Sequence, residues 1–358
     1  MHNYKLLITD IIRYIFNCLN HILYFFPIFQ SNYRFRHSLL IPLYDKKQSG
    51  IDSKDYHRDN EKKEIIYMVL PETTFSGGLS DRLRGIVAIY AECKRQGLPF
   101  RIVFEPLHLE DYLAPNKYDW RIKENDICWD TKKVYPCVLL TYHPNSHNRY
   151  QHWVQNTVLK SYISKPFEQI HIYSNMICRD KVYGPLFHEL FKPTKELQEQ
   201  IDYYLEKLGG RRKYITCTFR FRQLLGDFKE GGKTLPTEER EPYIERCIQA
   251  VKDLHEKNPD KTILVTADSS TFLSKLNEHA LPYVYIMPGK VVHIGFTFDA
   301  DHATYLKSFL DMYMISLADT VYLVRDKLMY HSGFPYRAAM LGGTKYKEIE
   351  LATVKITK

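Results

Sequence analysis

From residue 65 onward, short apolar runs alternate with longer segments whose apolar residues recur every three or four positions. The first pattern predicts buried strands and the second predicts helices with one buried face. "IIYMVL" reads as a strand. "SDRLRGIVAIYAECKRQG" sets Leu83, Ile86, Val87, Tyr90 and Ala91 on one helical face. Ser80 or Asp81 is placed to cap its start, and Gly97 stands where a C-terminal glycine belongs. "FRIVF" is the next strand. Strand, helix and strand in so short a span predict parallel pairing through a right-handed crossover.

The stretch from about 105 to 190 is less regular. "EQIHIYS" reads as a strand there and the rest as mixed helix and loop. "PTKELQEQIDYYLEKLGG" is a helix with proline near its start and glycines at its end. After it the alternation returns, with strands "KYITCTFRF", "TILVTA", "YVYIM" and "DTVYLV". Helices "EEREPYIERCIQAVKDLHEK", "STFLSKLNEHA", "ATYLKSFLDMYMISLA" and "FPYRAAMLGG" lie between or after them. The fold class is therefore α/β, with two Rossmann-like domains. Their expected limits are 61–205 and 206–358, preceded by an N-terminal region over 1–60.

That N-terminal region has a different character. "LLITDIIRYIFNCLNHILYFF" is apolar, but Asp10, Arg13, Asn17, Asn20 and His21 form a polar stripe at helical spacing. A spanning helix wants about 20 apolar residues with few charges, so this stretch reads as an amphipathic helix over 4–29. It either lies in a membrane surface or packs on protein. It has no secretory signal pattern. The polar, basic run from Tyr33 to Lys63 reads as a linker.

Composition narrows the classes. The net charge of +8 favours anionic small partners without arguing for nucleic acid, and no nucleic-acid motif is present. Seven cysteines are scattered without a C-x-x-C pair, which points to neither zinc nor a disulfide framework. A cytoplasmic location is the expectation, peripheral on the inner face of the membrane if 4–29 lies in that surface rather than on protein.

Open α/β sheets bind ligands outside the carboxyl ends of their strands, so the residues following each strand carry the functional reading. After "IIYMVL" come Gly77, Gly78, Ser80, Asp81 and Arg82. After "KYITCTF" come Arg220, Arg222 and Asp227. After "TILVTA" come Asp268 and Ser269. After "DTVYLV" come Ser332, Gly333 and Phe334. Arginine offers a planar donor fork to a diphosphate. A serine and glycine at a helix start offer a hydroxyl and N–H groups to phosphate. Asp268 is placed to accept from a purine base. The structural alternatives are an Arg220–Asp227 bridge, a helix cap at Asp268 and Ser269, and a plain turn at Ser332 and Gly333.

These motifs resemble the fucosyltransferase superfamily, which includes protein O-fucosyltransferases and bacterial α1,2- and α1,6-enzymes. "GGLSDR" corresponds to the glycine-rich first turn, "TFRFR" to the arginine strand end, "TADSS" to the base-contacting strand end and "SGF" to the phosphate contact. Order and spacing agree over roughly 65–345. The resemblance implies a GT-B arrangement of two Rossmann-like domains facing a cleft, and metal-independent, inverting transfer from a GDP-sugar, most often GDP-fucose, to a glycan hydroxyl. The donor is a substrate, and no cofactor is implied. Arg220 would neutralise the leaving diphosphate, Arg222 would assist or hold Asp227, Ser332 and Phe334 would cradle phosphate, and Asp268 would read the base. Asp81, Asp227 and Glu230 are the candidate bases. Two positions depart from the pattern: Thr218 stands where histidine is usual, and Ser80-Asp81 where Gly-Asn is usual.

Two rival readings are a metal-dependent transferase using Asp299 and Asp301 as a D-x-D pair, and a non-catalytic nucleotide- or glycan-binding scaffold on a membrane. A P-loop is excluded because no G-K-[ST] follows the first glycine, and no G-x-S-x-G elbow is present.

Overall fold

The computed structural model describes residues 28–50, 63–73, 75, 77–141, 149–227, 232–290 and 300–351. In chain order, the first elements are α1 (Ile41–Ser49), β1 (Glu64–Val69), α2 (Leu79–Gln96), β2 (Phe100–Phe104), β3 (Leu113–Pro115), β4 (Val134–Leu139), α3 (Arg149–Ile163) and β5 (Gln169–Ser174). They are followed by α4 (Asp180–Leu190), β6 (Phe191–Pro193), α5 (Lys195–Lys207), β7 (Tyr214–Phe219), α6 (Thr237–Glu256) and β8 (Thr262–Ala267). The last are α7 (Ser270–Glu278), β9 (Val284–Tyr285), α8 (His302–Leu317), β10 (Thr320–Arg325), α9 (Phe334–Gly342) and β11 (Lys345–Glu350). Contacts divide the chain into two units. One comprises the residues through 76 with 82–105 and 119–179, and the other 77–81, 106–118 and the residues from 180 on. Both α4 and α5 thus belong to the second unit.

The first unit holds a parallel sheet in the order β2-β1-β5-β4. Its strands are almost continuously apolar, as strands covered on both faces must be. Helix α2 lies so close to β5 that a Cβ on Gly85 would stand 2.5 Å from the Ser174 carbonyl oxygen. Arg84 on the same helix donates through Nε to the Met176 carbonyl at 3.1 Å. Strand β4 escapes the periodicity reading because Pro136 interrupts it. It lies at the sheet edge, where a missing N–H is tolerated.

The basic run expected as a linker is partly helical. Residues 28–49 are helical, and Leu40, Leu43 and Tyr44 are buried against the first unit's core. Tyr44 Oη lies 2.8 Å from His171 Nδ1 and 2.9 Å from Tyr173 Oη. His171 Nε2 is 3.0 Å from Gln169 Oε1, so this buried polar chain is closed at both ends. Three apolar positions at i, i+3 and i+4 suffice to seat a helix amid charges. Of the expected amphipathic helix over 4–29, residues 4–27 lie outside the described residues. Among the described residues, no helix is long and apolar enough to cross a membrane.

The second unit holds a parallel sheet in the order β11-β10-β7-β8-β9 and a short antiparallel pair, β3 with β6. Its largest cluster includes Ile215, Cys217, Phe219, Ile248, Val265 and Phe272. Of "YVYIM", only Val284 and Tyr285 pair as a strand. The sequence reading missed β11 because "KYKEIE" is polar, as suits an edge strand facing water on its flank. Helix α9 is packed tightly: a Cβ on Gly342 would reach 1.8 Å from the Ser316 carbonyl oxygen of α8.

Candidate functional site

Strands β10, β7 and β8 are neighbours in the second unit's sheet. Successive strands run from β7 to β8 and β9 on one side, whereas β10 and β11 lie on the other. The strand order therefore reverses between β7 and β10, the position where parallel sheets open to ligands at their carboxyl ends. The two strand-end segments meet there. The Tyr330 N–H donates to the Arg220 carbonyl at 3.1 Å, and the Arg222 guanidinium lies 5.1 Å from the Tyr330 ring centroid.

Asp268, at the end of β8, organises the end of β7. Its Oδ2 accepts from Arg220 Nη1 at 2.6 Å and from the Arg222 N–H at 2.7 Å, and its Oδ1 accepts from the Phe221 N–H at 2.8 Å. Two successive backbone N–H groups reach one carboxylate because Arg222 adopts φ 55°, an uncommon conformation for a non-glycine residue. Burial pushes the Asp268 carboxyl up, while Arg220 and the two N–H groups pull it down. The carboxylate expected to read a base is thus engaged with Arg220, and the geometry gives it the task of holding that guanidinium in place. The alternative bridge from Arg220 to Asp227 is not the one formed.

Asp227 has a separate task. Its Oδ2 accepts from Ser269 Oγ at 2.8 Å, Ser270 Oγ at 3.2 Å and the Thr271 N–H at 2.7 Å. Ser269 Oγ in turn accepts from the Phe272 N–H at 3.1 Å, so the two residues together cap α7. Burial raises the Asp227 carboxyl, but the Thr271 and serine hydrogen bonds outweigh it and leave it below the usual range. Glu230 lies outside the described residues.

After β10, Asp326 shapes the turn by accepting through Oδ1 from Tyr243 Oη at 2.9 Å, the Leu328 N–H at 2.8 Å and the Met329 N–H at 3.1 Å. Ser332 is buried and accepts from the Phe334 N–H at 3.3 Å. Gly333 is the exposed residue preceding α9, and open space surrounds the position of a Cβ on it. Asp180 holds the first turn of α9 from α4, accepting from Tyr336 Oη at 2.6 Å and Arg337 Nη1 at 3.1 Å. Sequence reasoning missed both Asp326 and Asp180. Only the aspartate directly following a strand, in "VRDKL", signalled the first.

The glycine-rich turn after β1 is tight for a stated reason. Gly77 has φ +80°, and a Cβ there would lie 2.8 Å from Asp81 Oδ2. The Asp81 N–H donates to the Gly78 carbonyl at 3.1 Å, which starts α2. Ser80 and Asp81 are half-buried. Arg82 is 1% exposed, with its guanidinium 5.6 Å from the Phe104 ring centroid. Of the residues that follow the first strand, it is thus a buried cation of the first unit. Asp301, from the rival D-x-D pair, caps α8 by accepting from the Thr304 N–H at 2.8 Å, and Asp299 lies outside the described residues.

No protein-family profile and no curated protein sequence matches the chain. Solved structures do. The α-1,6-fucosyltransferase NodZ, in crystals soaked with GDP-fucose, matches with a TM-score of 0.50 and 13% identity, over 78% of this chain and 93% of NodZ. A point variant of Arabidopsis thaliana FUT1 in complex with GDP matches with a TM-score of 0.51 and 16% identity, over 88% of this chain and 76% of FUT1. The expected α/β fold is therefore observed, and the chain shares the fold of these two fucosyltransferases.

Proposed function

We propose that the chain is a glycosyltransferase that moves fucose from GDP-fucose to a hydroxyl of a glycan or glycoconjugate, with inversion and without a metal. One observation carries the reading: Arg220 is fixed by Asp268 at the strand-order reversal between β7 and β10, and its carbonyl accepts from the Tyr330 N–H in the turn that leads to Ser332 and Gly333. A guanidinium anchored by a carboxylate is held ready for an anion, which is the need of a departing diphosphate. Fold likeness to enzymes crystallised with GDP-fucose or GDP supports the choice of nucleotide.

In this reading, Arg220 and Arg222 offset the diphosphate charge, and the Ser332 hydroxyl and the first N–H groups of α9 donate to its oxygens. The acceptor oxygen bonds to the anomeric carbon as the bond from that carbon to the diphosphate breaks. The electron pair leaves with GDP, and the acceptor's proton passes to a carboxylate. Asp227 is tied to the start of α7 by three donors, which leaves Asp81 and Glu230 of the three candidate bases.

The test is calorimetric titration with GDP, UDP and ADP in the presence of EDTA, followed by transfer assays with GDP-fucose. Binding selective for GDP, weakened about tenfold or more in Arg220→Ala, is the expected result. Binding of UDP alone and only with Mn²⁺, or no nucleotide binding, would overturn the proposal. GDP binding without donor hydrolysis or transfer would favour the scaffold.

A further inference from the structure

Helix α3 follows β4, an edge strand of the first unit's sheet. All three tryptophans of the chain are described. Trp120 is 0% and Trp129 6% exposed, whereas Trp153 in α3 is 54% exposed. Tyr150, one turn earlier, stacks on it with ring centroids 5.8 Å apart and planes at 29°. The i, i+3 spacing puts both rings on one helix face.

Among the described residues, the flank of this face along α3 is polar. Asn156 Nδ2 lies 2.8 Å from His152 Nδ1, and Thr157 is exposed on the next turn. Burial and the nearby Arg179 keep His152 below the ordinary histidine range, so at neutral pH its ring both donates and accepts. An aromatic face bordered by donors and acceptors matches an amphipathic, ring-shaped ligand. A pyranose lays the C–H bonds of its flat face against the electron-rich face of an aromatic ring and turns its hydroxyls to the polar border. A lipid surface would be matched by an apolar border instead.

The face is also held rigid. Gln155 is 0% exposed; its Nε2 donates to Thr141 Oγ1 at 2.7 Å and its Oε1 accepts from the Ile177 N–H at 2.9 Å. The Thr141 N–H donates to Asn175 Oδ1 at 2.7 Å. These bonds fasten α3 to the ends of β4 and β5, so little order must be gained on binding.

We infer that the Tyr150–Trp153 face is a saccharide subsite that stacks one hexopyranose unit of the acceptor glycan. Assigning that glycan as the acceptor rests on the transferase reading, but the binding itself does not require a donor. The experiment follows tryptophan emission of the full chain during titration with cellotetraose and chitotetraose, with acyclic sorbitol as control and GDP absent. A saturable change with a tetrasaccharide and none with sorbitol is expected. Trp153→Ala should abolish it and weaken calorimetric binding about tenfold or more, with GDP affinity unchanged. Tyr150→Phe, which keeps the ring, should bind as the parent does. No response to either tetrasaccharide, an equal response to sorbitol, or a response that survives in Trp153→Ala would overturn the inference. So would an emission shift given by phosphatidylcholine vesicles and by neither saccharide. Saccharide binding without GDP binding would leave the subsite standing and remove the donor assignment.

Discussion

Replacing Asp268 by asparagine changes one charge and almost no volume at the centre of the strand-end site. The Asp268 side chain is 2% exposed and that of Arg220 13%. Three donors converge on the carboxylate. In Asp268→Asn, one arm of the side chain is itself a donor, so at least one contact sets donor against donor. Removing one partner of a buried pair destabilises by about 3–5 kcal/mol. Arg220 keeps some access to water and the asparagine keeps one acceptor arm, which lowers the expected loss to about 2–3 kcal/mol. At about 2–4 °C per kcal/mol for a unit of this size, Tm should fall about 4–12 °C. Arg220 loses its anchor, so GDP affinity should fall about tenfold. The assays are urea unfolding and GDP calorimetry on Asp268→Asn, Arg220→Met and the double variant. If the two residues act as a unit, the double variant should lose about 1–2 kcal/mol less than the sum of the singles. Stability within about 0.5 kcal/mol of the parent in Asp268→Asn, with unchanged GDP affinity, would refute the reasoning, as would strict additivity.

Other perturbations test the frame around the site. His171, buried in the Tyr44 network, has its pKa lowered to about 3 by burial. The unfolded chain therefore takes up a proton below the ordinary histidine pKa while the folded chain does not, so stability is full above about pH 6.5 and falls with decreasing pH by about 1.4 kcal/mol per unit. Denaturant titrations between pH 7 and 5 should show this contribution, and His171→Gln should reduce the slope, leaving the part from His152 and His188, which burial also lowers. Gly342→Ala sets a Cβ 1.8 Å from the Ser316 carbonyl oxygen; a loss of about 3 kcal/mol or more in urea unfolding is expected. Gly77→Ala adds strain at φ +80° and pushes on Asp81. It should lose about 1–2 kcal/mol and lower transfer from GDP-fucose. Asp227→Ala removes a cap of α7 and should lose about 1 kcal/mol, and its binding of GDP should stay closer to the parent than that of Arg220→Ala.

By itself, the sequence determined the alternation of strand and helix. Apolar period and turn residues are local properties, and β1, α2, β2, β5 and the run from α5 to α9 all express them within a few residues of one another. It also determined which strand ends carry Arg220, Asp268 and Ser332, because a strand's carboxyl end is fixed once the strand is recognised. The polar edge strand β11 and the proline-bearing edge strand β4 were hidden, since their pairing comes from a neighbour rather than from their own pattern. The helix over 28–49 was hidden among charges, because its stability comes from Tyr44 reaching His171 and Tyr173, 127 and 129 residues away.

The tertiary structure alone decided what the polar side chains do. Asp268 lies 48 residues from Arg220, and only the adjacency of β7 and β8 makes it that arginine's anchor. Asp227 became a helix cap because the loop after β7 folds onto the start of α7. Arg82, one residue from Asp81, became a buried cation because a helix turns successive side chains about 100° apart. The identity of a charged residue is written in the chain. Its partner is chosen by which distant elements the fold brings within hydrogen-bond range, and at that range a buried charge must find a partner or be neutralised.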